Sequence, residues 1–127
     1  VADVEEPRIA VLGLAFKAGT DDCRESPAVE IIGHLLEAKA RVIAYDPKAM
    51  DTARALLGDK IRYAESMYDA LEGADVLVIL TEWEEFRELD LKRVSPMMRH
   101  RKIIDSRNLL DRDKMKDSGF NYQRIGS

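Results

Sequence analysis

Short apolar runs alternate with helical segments along almost the whole chain, and this alternation limits the possible folds more than any other feature. The run Val76–Leu80 is wholly aliphatic, which is typical of a strand that is buried on both faces of a parallel sheet. We predict six strands, at Ile9–Leu14, Arg41–Tyr45, Ile61–Tyr63, Val76–Leu80, Lys102–Asp105 and Phe120–Ile125.

The segments between these runs carry apolar residues at helical spacing. Ser26 is a candidate cap for the first helix, and Pro27 suits its first helical position. Helices are predicted at Pro27–Lys39, Asp51–Leu57, Met67–Glu72, Glu84–Glu88, Leu91–Met98 and Asp111–Ser118. Strands interleaved with helices predict an α/β fold: a Rossmann-like, doubly wound, mostly parallel six-stranded sheet with helices on both faces.

The length and composition narrow the class of protein. We expect the 127 residues to form one domain at residues 9–127, preceded by the end of a linker at residues 1–8. The chain begins at Val1, so we expect it to be a piece of a longer protein. A net charge of -4 argues against nucleic acid as a partner, and no apolar run reaches membrane-helix length. The single cysteine suits a reducing cytoplasm.

A long, charged loop follows the first predicted strand, at the sheet edge where ligands bind in such folds. The dinucleotide motif G-x-G-x-x-G begins at Gly13 but is broken at Ala15 and Ala18. Lys17 is a candidate for a phosphate or sugar contact, with a solvated surface lysine as the alternative. Arg24 is a candidate anion ligand, or else the partner of a neighbouring acid.

Other loops open on the same predicted edge. Arg107 follows the fifth strand, so it emerges on the same edge as Lys17, and two cations at one crevice suit an anionic ligand; a solvated arginine is the alternative. Asp46 ends the second strand, where we favour a structural role before Pro47 over a ribose contact. Trp83 is more simply explained by packing than by stacking on a base.

Metal and nucleophilic chemistry have little support in the sequence. Cys23 has no plausible base, because His34 falls inside the first helix and His100 lies in a basic run. No spacing of cysteine, histidine and acidic residues matches a metal-ligand pattern, so we expect no metal site in this chain and treat Cys23 as an ordinary loop thiol.

The letters G-L-A-F-K-A-G-T-D-D-C-R-E-S-P, which begin at Gly13, resemble the start of the C-terminal domain of the UDP-glucose/GDP-mannose dehydrogenase family. The segments Tyr45-Asp46-Pro47, Thr81-Glu82-Trp83 and Asp105-Ser106-Arg107-Asn108 agree, and the likeness is strongest to members that act on UDP-glucose. The resemblance runs from about Ile9 to Gly126, nearly the whole chain.

The resemblance implies the nucleotide-sugar-binding domain of an enzyme that oxidises a sugar alcohol to a carboxylate with two NAD. Phe16, Lys17 and Arg107 would contact the UDP-sugar, and Arg24 would contact NAD. The family's catalytic cysteine motif is absent from the chain, so the resemblance implies no catalytic residue here, and NAD would be bound mainly by an N-terminal domain. The resemblance also implies a homo-oligomer. A family member acting on GDP-mannose or a UDP-N-acetylhexosamine, and a free-standing nucleotide-binding module, are the alternatives.

Overall fold

The computed structural model describes residues 7–14, 27–81, 83–100, 102–105 and 119–124. The strands are β1 (Arg8–Leu12), β2 (Arg41–Tyr45), β3 (Arg62–Tyr63), β4 (Val76–Ile79), β5 (Lys102–Asp105) and β6 (Asn121–Arg124). The helices are α1 (Pro27–Glu37), α2 (Met50–Leu57), α3 (Met67–Leu71), α4 (Glu84–Arg87) and α5 (Leu91–Val94), with a 3₁₀ turn at Gly58–Lys60. The predicted helix Asp111–Ser118 and the predicted cap Ser26 lie outside the described residues.

The strands form one sheet in the order β3-β2-β1-β4-β5-β6, and every neighbouring pair is parallel. This order is that of the doubly wound dinucleotide-binding fold, in which the chain reverses direction across the sheet between β1 and β4. The prediction of a Rossmann-like six-stranded sheet is therefore confirmed, and the described strands are all parallel rather than mostly so.

Both faces of the sheet are covered by apolar side chains. Along β1, Ala10 and Leu12 belong to one buried cluster, whereas Ile9 and Val11 belong to a second cluster on the other face. The alternation follows from the two-residue period of a strand. The first cluster includes residues of α3, α4 and α5, and the second includes residues of α1 and α2. Helices on both faces are thus confirmed.

Helix α1 ends two residues before the predicted end. The N–H of Lys39 bonds to the carbonyl of Leu36, and the N–H of Ala40 bonds to the carbonyl of Leu35, each at 3.0 Å. This pair of bonds is a Schellman motif, which needs a left-handed residue, and Lys39 takes that place with φ of 65°. The prediction overshot because a glycine normally marks this position and the sequence has a lysine there.

Helix α5 is also shorter than predicted, because it ends at Val94 rather than at Met98. Pro96 lacks an N–H and restricts the backbone of Ser95, so a regular helix cannot continue through this pair. The chain instead turns, with the N–H groups of Met97 and Met98 both bonded to the carbonyl of Val94. The prediction of a helix over Leu91–Met98, which runs through Pro96, was wrong in its second half.

Within the described residues, the longest helix falls short of the length and apolar character needed to cross a membrane.

Candidate ligand-binding edge

Strands β1, β4 and β5 end at the same level at their carboxyl edge. Leu12 pairs with Ile79 in the β1–β4 register, and Ile79 pairs with Asp105 in the β4–β5 register. Neighbouring strands are separated by about 4.8 Å, so the ends of β1 and β5 lie roughly 10 Å apart with β4 between them. The loops that follow these strands therefore start side by side.

A close contact joins the segments that follow β1 and β4. Gly13 has φ of 105°, and a Cβ added to it would lie 2.4 Å from Oγ1 of Thr81 and 2.5 Å from the Thr81 backbone nitrogen. Both the conformation and the space require glycine here. Thr81 itself is completely buried, so the two chain segments are packed against each other where they leave the sheet.

Asp46 holds three parts of this edge together. Its Oδ2 atom accepts hydrogen bonds from the backbone N–H of Leu14 and from the indole N–H of Trp83, each at 2.9 Å. Its Oδ1 atom accepts the backbone N–H groups of Lys48 at 2.8 Å and Ala49 at 2.9 Å. Asp46 is completely buried. The carboxylate therefore fixes the start of the loop after β1, the segment after β4 and the turn into α2.

These contacts decide between the two roles considered for Asp46. A ribose-binding acid must present its oxygens to a ligand, whereas both oxygens of this buried carboxylate are engaged by N–H groups of the chain itself. The structural role is confirmed. The bonds to Lys48 and Ala49 form an Asx turn, and the letters D-P-K-A signal such a turn. No local signal, however, points to Leu14 or Trp83.

Aromatic side chains pack the segment after β4 against the apolar core. Phe86 is completely buried, and its ring meets the ring of Tyr45 edge to face, with centroids 6.2 Å apart. Trp83 packs against the same apolar cluster and donates its indole N–H to Asp46. The prediction that Trp83 packs within the protein is confirmed.

Tyr45 also anchors α4 through its hydroxyl, which donates a hydrogen bond of 2.9 Å to Oε1 of Glu85. Burial, followed by the hydrogen bond and the negative charge of Glu85 and then the charge of Asp46, raises the pKa of Tyr45 to about 12. The phenol is therefore protonated, and acts as the donor, throughout the physiological range.

A similar pair of a tyrosine and a carboxylate lies at the end of β5. Asp105 is completely buried, and the hydroxyl of Tyr122 on β6 donates a hydrogen bond of 2.6 Å to its Oδ2 atom. Asp105 is the last residue before the segment that begins at residue 106. Its carboxylate thus ties the end of β5 to the neighbouring strand.

The predicted binding residues Phe16, Lys17, Arg24 and Arg107 lie outside the described residues, as does Cys23. His34 is on α1, as predicted, and is exposed, with Nε2 at 3.8 Å from Oε1 of Glu30. Among the described residues, no group of three or more histidine, cysteine and acidic side chains is arranged to hold a metal ion.

Comparison with known proteins identifies the family. The model of the UDP-glucose/GDP-mannose dehydrogenase family, UDP binding domain, matches residues 10–112. The chain belongs to this family. The UDP-glucose 6-dehydrogenase of Rhizobium meliloti (strain 1021) is 44% identical to it over 124 residues, which are 98% of this chain and 28% of the relative.

Solved structures of the UDP-glucose/GDP-mannose dehydrogenase family share the fold. A UDP-glucose dehydrogenase from Pyrobaculum islandicum superposes with a TM-score of 0.78 at 37% identity, covering 94% of this chain and 25% of that one. The UDP-D-ManNAc dehydrogenase from Pyrococcus horikoshii gives a TM-score of 0.76 at 35% identity, and the match covers 95% of this chain and 26% of that one. The chain thus spans about a quarter of the length of the proteins it matches.

Proposed function

We propose that this chain binds the UDP part of a nucleotide sugar at the carboxyl edge of its sheet, with Phe16, Lys17 and Arg107 as contacts. Residues 9–127 form the nucleotide-sugar-binding domain, and residues 1–8 are the end of a linker. The longer protein is an NAD-dependent UDP-glucose 6-dehydrogenase. Membership of the UDP-binding family supports the ligand class, and the names of the relatives support UDP-glucose.

The observation that supports this proposal is that β1 and β5 end at the same level of the sheet. The chain leaves β1 four residues before Phe16 and leaves β5 two residues before Arg107. Two strand spacings separate the two exits by roughly 10 Å, a gap that a lysine and an arginine can bridge by both contacting one diphosphate. A guanidinium adds bidentate geometry, and an ammonium adds a point charge.

The state of Asp46 supports a substrate site rather than the main NAD site. In a dinucleotide-binding domain of this topology, an acid after the second strand holds the ribose hydroxyls of NAD. Here that acid is buried and already accepts four N–H groups. The broken glycine motif at Ala15 and Ala18 agrees. We therefore assign NAD mainly to an N-terminal domain of the longer protein, with Arg24 as its contact from this chain.

Calorimetric titration of the chain with UDP tests the binding site. Replacing Lys17 or Arg107 by alanine removes a charge-assisted hydrogen bond worth about 1.5–3 kcal/mol, so the affinity falls roughly tenfold to a hundredfold. Lys92→Ala is the matched control, because Lys92 is an exposed lysine of α5 and should leave the affinity unchanged. Equal affinity in all three variants would remove both residues from the site.

Enzyme assays test the larger assignment. The chain carries no catalytic residue in this proposal, so with UDP-glucose and NAD it should form no NADH by itself. The longer protein should form two NADH for each UDP-glucose, and slower turnover with GDP-mannose and UDP-N-acetylhexosamines would separate the alternatives. Arg24→Ala should raise the KM for NAD without changing the affinity of the chain for UDP. Light scattering on the longer protein tests the proposed homo-oligomer.

A further inference from the structure

A cavity of about 380 Å³ lies at the opposite edge of the sheet, beside the amino ends of β1, β2 and β3. It is bounded by strand residues and by the 3₁₀ turn, and its charged lining residues are Arg8, Arg41, Asp59, Lys60 and Arg62. This volume is within the range of small-molecule sites, at its lower end.

The lining is strongly cationic. Arg8, Arg41, Lys60 and Arg62 face one acid, Asp59, whereas the whole chain has a net charge of -4. Lys60 and Arg62 are both exposed, and within the described ranges no carboxylate forms an ion pair with either. A concave, positive surface of this kind raises the local concentration of anions.

Strand register concentrates three of these cations on one face of the sheet. Arg8 of β1 is the register partner of Arg41 of β2, and Arg62 of β3 pairs with Ile43, two residues further along β2. Register partners point to the same side, and residues two apart on a strand do so as well. Like charges at paired positions repel each other, whereas an anion bound between them would attract both.

A second acid at this edge, Asp75, is already paired. Asp75 precedes β4, and its Oδ2 atom accepts the backbone N–H of Arg8 at 2.8 Å. Its Oδ1 atom lies 3.4 Å from Nε of Arg99 and 3.6 Å from Nε2 of His100. The guanidinium of Arg99 beside it therefore offsets the negative charge of Asp75 at this edge.

We infer that this amino-edge cavity is a second anion site, which binds a small phosphate compound such as pyrophosphate. Arginine guanidinium groups match the oxygens of phosphate in pairs, and Lys60 supplies a further point charge. The site is independent of the proposed UDP site, because the two lie at opposite ends of the strands. The inference therefore does not depend on the proposed function.

Titration of the chain with inorganic pyrophosphate tests the inference. We expect saturable binding that the double variant Lys60→Gln, Arg62→Gln weakens about a hundredfold, roughly tenfold for each lost charge-assisted contact. Both side chains are exposed, so the fold should tolerate the change. Lys92→Gln on α5 removes a charge without touching the cavity and should leave the affinity unchanged.

Two further measurements locate the bound anion. With the carboxyl edge filled by saturating UDP, pyrophosphate should still bind, whereas UDP would displace it completely if pyrophosphate occupied only that edge. Amide NMR shifts in the unsubstituted chain should change at residues 40–43 and 59–62 on addition of pyrophosphate. The inference is overturned by an absence of binding, by complete displacement with UDP, or by an affinity that the double variant and Lys92→Gln alter equally.

Discussion

Replacing Asp46 by asparagine should destabilise the protein substantially. The carboxylate accepts two N–H groups on each oxygen, but an amide offers only one oxygen. In either orientation of the asparagine side chain, its NH₂ group faces two N–H donors and can accept neither hydrogen bond. Two lost bonds to a charged acceptor cost about 3–6 kcal/mol. The neutral amide costs less to bury than the carboxylate, which reduces the net loss to about 2–4 kcal/mol.

Urea unfolding followed by circular dichroism measures this loss. A decrease of about 2–4 kcal/mol is a large part of the 5–15 kcal/mol that stabilises an ordinary domain, so the midpoint should fall clearly at an unchanged slope. Asp69→Asn is the charge-matched control, because Asp69 is exposed and its carboxylate accepts the N–H of Glu65 at 3.3 Å. If Asp46→Asn and Asp69→Asn shift the midpoint equally, the role assigned to Asp46 is wrong.

A double-mutant cycle isolates the bond between Asp46 and Trp83. Trp83→Phe removes the indole N–H that Asp46 accepts, and it keeps an aromatic ring in the apolar cluster. Because the two side chains share a hydrogen bond, their effects on the free energy of unfolding should differ from additivity by about 0.5–3 kcal/mol. Trp83 is the single tryptophan of the chain, so its fluorescence reports the environment of this bond in the Asp46→Asn variant. Additive effects would show that the bond contributes nothing.

Two further predictions concern a glycine and a phenol. Gly13→Ala should cost about 3 kcal/mol or more in urea unfolding, because φ is 105° and the new Cβ would overlap Thr81. Gly33→Ala, in α1 with nothing within 4 Å of the added Cβ, should instead stabilise by about 0.5–1 kcal/mol. The pKa of Tyr45 is about 12 in the folded protein, against 10 when unperturbed. Its contribution to the free energy of unfolding should therefore be complete below pH 10 and be lost as the pH rises to 12. Glu85→Gln should shift the Tyr45 titration, followed by tyrosinate absorbance, back towards 10; an unmoved midpoint would contradict the assigned causes.

The fold was predictable because its determinants are local and repetitive. Short aliphatic runs such as Val76–Leu80 have the length and composition of buried strands, and the handedness of parallel crossovers leaves few topologies for strands alternating with helices. Helix ends were less predictable. At Lys39 the left-handed conformation is adopted without glycine, and at Pro96 the chain turns where a helix was expected. At Lys39 the conformation depends on the path of the chain into β2 and not on the residue alone. At Pro96 the sequence did contain the signal, because proline restricts the residue before it, and the prediction gave it too little weight.

The contacts at the carboxyl edge were only partly predictable. The Asx turn at Asp46 involves residues two and three positions away, so the local letters indicate it. The bonds from Leu14 and Trp83 span 32 and 37 positions, and they exist only because β1, β2 and β4 end near one another. A pattern in one stretch of sequence contains no trace of such a partner. The sequence therefore indicated a structural role for Asp46, but not the distant partners, Leu14 and Trp83, through which its carboxylate holds the edge together.

The length of the strands separates the two anion sites that we propose. A strand of five residues spans about 16 Å, whereas the Debye length at physiological ionic strength is about 8 Å. Charges at the amino edge, such as Lys60 and Arg62, are therefore largely screened from the carboxyl edge. A direct electrostatic effect of one site on the other should be small, so competition between UDP and pyrophosphate reports shared occupancy of a single site. The distance along the strands likewise separates the cavity at the amino edge from the proposed UDP site at the carboxyl edge.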